Sequence, residues 1–284
     1  MDVYRETLHQ GFEQVLHLAG PPLVDERTAH QHIQVFDTVC NGRVLVLDGI
    51  LQITDRDEAS YSEMLAHPPI LEHGEVRRVL VVGGGDGAVA EEVLKQPRVE
   101  HVDLVEIDPR VVEVAREHLA SVNHGVFDEP RLEVVHEDAF AFLECAASGS
   151  YDLVIADRPD PVGPAESLFS DAFYRRVREA LAPRGIAVFQ TGCPFYQAGE
   201  LSETHALLRR LFDHAGVYLT VTPTYSGGFM ALTWGARGLR LGESTDVETL
   251  TRRYHAAGLA TDYYAPEVHK AAFALPPWIA RLLG

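Results

Sequence analysis

The 284-residue sequence predicts an α/β protein, in which a small antiparallel β domain precedes a mostly parallel sheet covered by helices. Two observations support this fold class. Up to about residue 55, short runs alternate between apolar and polar positions and are separated by turn residues. After Arg77, apolar runs alternate with amphipathic helical segments, which is typical of a parallel sheet. We therefore predict a β domain over residues 1–56 and a larger α/β domain over residues 57–284.

The β domain is predicted from four runs within residues 12–55, namely FEQVLHLA, HQHIQVFDT, RVLVLD and ILQITD. Asn41-Gly42 lies between the second and third runs, and this dipeptide is a strong hairpin signal. From Asp57 the period of the apolar residues changes. The segment DEASYSEMLAH predicts a helix whose first turn is acidic.

The larger domain is predicted from five apolar runs, VLVVG, VDLVEI, LEVVH, DLVIAD and GIAVFQ. Segments such as EEVLKQ and RVVEVAREHL have the spacing of amphipathic helices and lie between these runs. We therefore expect a parallel sheet with helices on both faces. The later runs VYLTVTP and GFMALTWG are joined by a turn alone, so an antiparallel edge is expected there.

The composition limits the classes of partner. The formal net charge is −18, so the chain lacks the cationic footprint that nucleic acids and anionic membranes require, and neither is expected as a partner. A cationic small molecule would instead be attracted to an acidic cleft. No apolar run approaches the ~20 residues that span a bilayer, and the first residues lack the features of a signal peptide, so a cytoplasmic location is expected.

The three cysteines, Cys40, Cys145 and Cys193, are far apart and form no CxxC motif. They fit neither a disulfide framework nor a zinc site, so we expect small buried side chains and no metal.

The first apolar run of the α/β domain ends in a glycine cluster, VVGGGDGA, over residues 81–88. Glycines allow a sharp turn and a close approach of the backbone to a ligand. The next run ends at Glu106, where an acidic side chain can accept hydrogen bonds from both ribose hydroxyls. Together these features predict a nucleoside site on a Rossmann-like sheet.

Asp86 and Asp138 indicate which kind of nucleoside. Asp86 lies inside the glycine turn, where a carboxylate would repel the pyrophosphate of a dinucleotide and favour a positively charged sulfonium or ammonium group. We therefore favour the type of Rossmann-like sheet found in S-adenosylmethionine methyltransferases. Asp138 follows the third run, where such folds often bind the adenine amino group. It would equally serve as the N-cap of the following helix, and the two roles are compatible.

The sequence resembles the spermidine synthase family of aminopropyltransferases over nearly its whole length. The residues that carry the resemblance are ETLHQGF, HQHIQVFDT, GRVLVLDGILQITDRDEASYSEM, VVGGGDGA, VEID, DPVGPAESLF, PTYSGG and YYAPEVHKAAFALP. The resemblance implies decarboxylated S-adenosylmethionine as donor and co-substrate, a diamine such as putrescine as acceptor, and spermidine and methylthioadenosine as products. No separate cofactor is implied. Relatives are commonly homodimers or homotetramers.

The resemblance also implies roles for individual residues. Asp157 would take the proton of the attacking nitrogen or orient that nitrogen, and Asp160 would help to hold the amine. Tyr61 would line the site beside the aminopropyl arm, and Tyr225 would be a further contact on the amine side. The residues that map onto the donor pocket are Gln31, Gln52, Asp86, Glu106, Asp138, Ala139 and Asp157.

The sequence departs from the family pattern at several positions near the site. Arg158 and Pro159 separate the two catalytic carboxylates, where small polar residues are usual, and Glu91 replaces a common arginine. We hypothesise that Glu91 and Arg158 have exchanged charge and pair with each other or share a partner. Ser62 replaces a common His or Gln and would leave space near the aminopropyl arm.

Three functions are compatible with these residues. The first is transfer of an aminopropyl group, to putrescine or to another amine such as agmatine, cadaverine, spermidine or a carboxylated amine. The second is S-adenosylmethionine-dependent methyl transfer on the same fold, against which Asp86 counts and for which Arg158 would count if it bound a carboxylate. The third is a non-catalytic binding module, which the presence of both Asp157 and Asp160 disfavours.

Overall fold

The computed structural model describes residues 2–159 and 167–284 and has the predicted α/β architecture. Over these residues the strands form a two-stranded sheet, a four-stranded sheet and a seven-stranded sheet. Asp160, which we predicted to hold the amine, lies outside the described residues.

The N-terminal region contains the two smaller sheets, and all their strand pairs are antiparallel. The hairpin predicted at Asn41-Gly42 is confirmed, because Thr38 pairs with Gly42 across the turn. Two of the short strands, the first and the third, were not predicted. The strand bounds are β1 Val3–Glu6, β2 Gln14–His17, β3 Val24–Arg27, β4 His32–Thr38, β5 Gly42–Leu47 and β6 Ile50–Thr54.

The large sheet contains all seven strands predicted for the α/β domain. Their bounds are β7 Arg78–Gly83, β8 His101–Val105, β9 Leu132–Val135, β10 Tyr151–Asp157, β11 Leu181–Gln190, β12 His214–Val221 and β13 Phe229–Ala236. The strand order is β12-β13-β11-β10-β7-β8-β9. The five strands from β11 to β9 are parallel, and β13 is antiparallel to both β11 and β12. The antiparallel edge is thus confirmed.

Helices follow most of the strands. Their bounds are α1 Glu58–His73, α2 Ala88–Leu94, α3 Pro109–His118, α4 Ala120–Asn123, α5 Ala139–Cys145, α6 Asp171–Ala180, α7 Ala198–Leu211, α8 Val247–Ala257, α9 Pro266–Ala272 and α10 Pro277–Leu282. The predicted acidic first turn of α1 is confirmed at Glu58.

The two faces of the large sheet bury separate clusters of apolar side chains. Val79 and Val81 of β7 pack on the side of α1 and α2, whereas the alternate residues Leu80 and Val82 pack on the side of α5 and α6. This alternation follows from the pleat of a strand, in which successive side chains point to opposite faces.

Helix α1 is buried from Ser60 to His73, although it contains several charged side chains. Its Glu63 accepts hydrogen bonds from the backbone N–H groups of residues 262–264. Its His67 lies 2.9 Å from the carboxylate of Glu92 on α2. These partners offset the cost of removing the polar groups from water.

Among the described helices, none is long and apolar enough to cross a lipid bilayer. The division that we predict between residues 56 and 57 falls between β6 and α1 and stays a prediction.

Candidate active site

A pocket lies at the carboxyl ends of the central parallel strands, where ligands bind in open α/β sheets. Residues of the N-terminal sheets, among them Leu45 and Leu47, form its opposite wall. The structure brings together in this pocket every predicted site residue that it describes. These residues are Gln31, Gln52, Tyr61, Asp86, Glu106, Asp138, Ala139, Asp157 and Tyr225.

The glycine turn after β7 allows the backbone to approach the neighbouring strand closely. Gly83 pairs with Asp157 of β10 and has a φ of +76°, and a Cβ atom on it would lie 2.1 Å from the carbonyl oxygen of Asp157. A Cβ atom on Gly85 would lie 2.9 Å from Cγ of Glu106. The glycines are therefore required for the two carboxylates to reach the pocket.

Asp157 is the last residue of β10, and its Oδ1 accepts a hydrogen bond of 2.6 Å from the Tyr61 hydroxyl of α1. Burial and, to a smaller extent, the charges of Asp86 and Glu106 together raise the pKa of Asp157 to about 7, against the opposing effect of the Tyr61 hydrogen bond. A carboxylate with a pKa near neutrality is well suited to act as a general base at neutral pH.

Two further carboxylates in the pocket have raised pKa values. Asp86 accepts a hydrogen bond of 2.8 Å from the backbone N–H of Ala88, and burial raises its pKa. Burial also raises the pKa of Glu106 to about 7, although Glu106 accepts the N–H of Asp108 at 3.0 Å. A positively charged ligand would favour the ionised form of all these groups.

Two aromatic side chains lie beside Asp157. The rings of Tyr61 and Tyr225 are 5.5 Å apart in an edge-to-face arrangement. The hydroxyl of Tyr225 donates to the carbonyl oxygen of Gln52. Burial and the nearby charge of Asp157 raise the pKa of both phenols well above its usual value, so both are neutral hydrogen-bond donors.

A hydrogen bond links Gln31 of the N-terminal region, which we predicted to bind the donor substrate, to the α/β domain. The amide of Gln31 donates at 3.1 Å to Asp108, which follows β8 and caps α3. Asp138 caps α5 by accepting the N–H of Ala141 at 3.0 Å, and it also faces the pocket. The structure therefore gives Asp138 the capping role and a position from which it can contact a ligand.

Glu6 and Gln190 are among the polar pocket-lining residues that sequence reasoning missed. Glu6 is buried, and its Oε1 accepts the N–H of Leu51 at 2.8 Å. Gln190 is also buried, and within the described residues its Oε1 has no hydrogen-bond partner. The available signal was position, because Gln190 is the last residue of a strand next to β10, like Asp157.

Among the described residues Glu91 and Arg158 neither pair nor share a partner, which contradicts our hypothesis that they do. Glu91 pairs with Lys95 at 3.0 Å and with His124 at 3.5 Å. Arg158 instead donates to the carbonyl oxygens of Leu168 and Gln190 and to the Tyr174 hydroxyl. The physical reason is the sheet itself, because α2 packs on one face and the partners of Arg158 lie on the other.

Ser62 does not open space in the pocket. It is fully buried and is absent from the described pocket lining. Its hydroxyl donates within α1, to the carbonyl oxygen and the carboxylate of Glu58. The Ser62 side chain is therefore hydrogen-bonded within α1 and takes no part in forming the pocket.

The chain matches two family models. Residues 58–240 match the spermine/spermidine synthase domain, and residues 22–55 match the spermidine synthase tetramerisation domain. Similar curated proteins include the polyamine aminopropyltransferase of Ruegeria sp. (strain TM1040), which is 47% identical over 98% of this chain and 96% of its own. Polyamine aminopropyltransferase 1 of Pseudomonas aeruginosa is 43% identical over 100% of this chain and 98% of its own.

Solved structures agree with these matches. A crystal structure of spermidine synthase with the transition-state analogue AdoDATO superposes with a TM-score of 0.94 at 31% identity and covers 100% of this chain and 95% of that one. Spermidine synthase from Thermotoga maritima superposes with a TM-score of 0.93 at 31% identity, and the match covers 100% of this chain and 94% of that one.

The Rossmann-like fold and the acidic pocket define an enzyme whose site is suited to a nucleoside and a cation. The chain belongs to the spermine/spermidine synthase family, and it is a transferase of the polyamine aminopropyltransferase class. The match of residues 22–55 to the tetramerisation domain indicates an oligomer.

Proposed function

We propose that the enzyme transfers the aminopropyl group of decarboxylated S-adenosylmethionine to putrescine, forming spermidine and methylthioadenosine. The observation that carries this proposal is Asp157, a partly buried carboxylate whose pKa is raised to about 7 and which Tyr61 holds in place by a hydrogen bond. Such a group can both attract an ammonium ion and accept one of its protons.

The donor half of the proposal rests on Asp86, Glu106 and Asp138. Glu106 accepts hydrogen bonds from the ribose hydroxyls, and Asp138 contacts the adenine amino group. Asp86 pairs with the ammonium group of the decarboxylated donor and repels the carboxylate of S-adenosylmethionine. Its burial supports this selectivity, because charges interact more strongly away from water.

The acceptor half rests on the residues around Asp157. Tyr61 and Tyr225 form aromatic walls that suit the methylene chain of a diamine. Gln190 offers an oxygen, without a partner among the described residues, that can accept an amine N–H. By its position in the family motif, Asp160 also holds the amine. The active oligomer is then a homodimer or a homotetramer assembled through residues 22–55.

The reaction is a single displacement. The lone pair of the acceptor nitrogen forms a bond to the methylene carbon next to the sulfonium, and the electrons of the broken C–S bond stay on sulfur. The nitrogen loses a proton to Asp157, and the sulfur leaves as the neutral thioether of methylthioadenosine. The pocket contributes by aligning the two reactants and by supplying the base.

The test is to incubate the purified enzyme with decarboxylated or intact S-adenosylmethionine and a panel of putrescine, cadaverine, agmatine, spermidine and ornithine. We expect methylthioadenosine from the decarboxylated donor, with putrescine as the fastest acceptor. Release of S-adenosylhomocysteine alone would show a methyltransferase and overturn the proposal. Faster turnover of another amine would retain the aminopropyl transfer and replace the acceptor.

A further inference from the structure

Arg158 directly follows the catalytic strand β10 and is 2% exposed. Its guanidinium carbon lies 3.5 Å from the centroid of the Phe169 ring, and it is also close to the rings of Tyr174 and Phe189, at 5.3 Å and 5.7 Å. Over residues 2–159 and 167–284, no carboxylate pairs with it. The charge is therefore stabilised by aromatic faces and by neutral oxygens.

The hydrogen bonds of Arg158 join three parts of the molecule. One terminal nitrogen donates to the carbonyl oxygen of Leu168, in the turn before α6. The other donates to the Tyr174 hydroxyl of α6 at 2.7 Å and to the carbonyl oxygen of Gln190 at 3.4 Å. Arg158 thus ties the end of β10 to the end of β11 and to the start of α6.

Arg158 itself and two of these three partners line the pocket. Gln190 and Leu168 each accept a bond from Arg158 through the backbone and face the pocket themselves. Both terminal nitrogens of the guanidinium are engaged by protein oxygens, and its Nε is buried away from solvent without a partner among the described residues. These contacts hold the guanidinium against the backbone of two residues that line the pocket.

We propose that Arg158 is a positioning residue, which holds the acceptor side of the pocket in place and does not bind the substrate. This inference rests on the proposed aminopropyl transfer and names a residue that positions its acceptor.

The test uses Arg158→Met, which keeps a stem of similar length and removes the charge and the forked bonds. We expect the KM for putrescine to rise about tenfold, while the dissociation constant of the decarboxylated donor stays within about twofold of the parent. Arg158→Lys keeps the charge without the fork and should rescue the KM only in part. Arg175→Met on exposed α6 surface is the matched control and should equal the parent.

A second, milder variant addresses folding. Tyr174→Phe removes one partner of Arg158 outside the pocket, and it should raise the KM for putrescine about threefold with the donor affinity unchanged. Circular dichroism melts check that each variant is folded. If Arg158→Met fails to fold, Tyr174→Phe decides, and a KM for putrescine equal to the parent's would overturn the positioning role.

The acceptor panel separates positioning from direct binding. If the parent enzyme uses ornithine and Arg158→Met loses ornithine at least about tenfold more than putrescine, Arg158 binds a carboxylate and the inference is wrong. If the parent releases no methylthioadenosine with any amine, the proposed function fails instead. A parent that is active with putrescine and an Arg158→Met variant with an unchanged KM refutes the positioning role alone.

Discussion

At the scale of single residues, the pocket brings together carboxylates that would be unstable as a group without a cationic ligand. Asp157 and Glu106 each have a pKa raised to about 7, and burial raises that of Asp86 as well. Each group loses hydration, and each repels the others. Binding of a sulfonium with an attached ammonium restores favourable interactions for all of them, so ionisation and donor binding are coupled.

This coupling predicts a pH dependence of donor binding. The donor should bind more weakly as the pH falls through about 7, because protonation of Asp157 and Glu106 removes their attraction for its positive charges. Conversely, the bound donor lowers the pKa of these groups. Calorimetric titrations between about pH 5.5 and about pH 8.5 should therefore show proton release on binding at the acidic end.

Two controls sharpen this result. Methylthioadenosine has the same nucleoside and no positive charge, so its affinity should change much less over the same range. Asp157→Asn keeps the shape of the side chain, should flatten part of the donor's pH dependence, and should lower kcat at least about 100-fold as a general base is lost. Equal pH profiles for the donor and methylthioadenosine would refute the coupling.

At the scale of elements, α1 is a central helix, which is buried from Ser60 to His73. It presents Tyr61 to Asp157, and its Glu63 binds the backbone of residues 262–264. The C-terminal segment thereby covers one side of the helix that positions the catalytic carboxylate. A buried carboxylate is retained there because it satisfies several N–H groups at once.

Glu63→Gln tests this arrangement. The amide of glutamine offers one oxygen and an NH₂ group that faces N–H donors, so at least one backbone N–H group loses its partner. We expect the free energy of unfolding to fall by about 1–3 kcal/mol, measured by denaturant titration. Hydrogen exchange at residues 262–264 should accelerate in the same variant. Glu267→Gln, on the exposed surface of α9, is the control, and equal losses in both variants would contradict the role of Glu63.

The strands of the large sheet could be predicted because buried parallel strands are almost continuous apolar runs. The short strands β1 and β3 could not, since β3 reads Val-Asp-Glu-Arg and buries only Val24. Within the site, the positions of the carboxylates followed from the strand ends. The partners of Glu91 and Arg158 could not be predicted, because the sequence does not say which face of the sheet each side chain reaches.

At the scale of the whole molecule, the carboxylates of the pocket account for only a small part of the net charge of −18. The negative charge on the rest of the surface produces an electrostatic field, which attracts a diamine before it reaches the pocket. In water near neutral pH putrescine is a dication, so its encounter with this protein is favoured over that of a neutral molecule of the same size.

This field predicts a salt dependence that separates encounter from chemistry. Raising the ionic strength from about 0.1 M to about 1 M shortens the Debye length from about 10 Å to about 3 Å and screens the surface charges, but it screens the buried pocket much less. With the donor saturating, kcat/KM for putrescine should fall several-fold while kcat changes little. Binding of neutral methylthioadenosine is the control and should be nearly constant. If kcat falls in proportion to kcat/KM, salt acts on the chemical step, and the surplus charge outside the pocket has no part in capturing the amine.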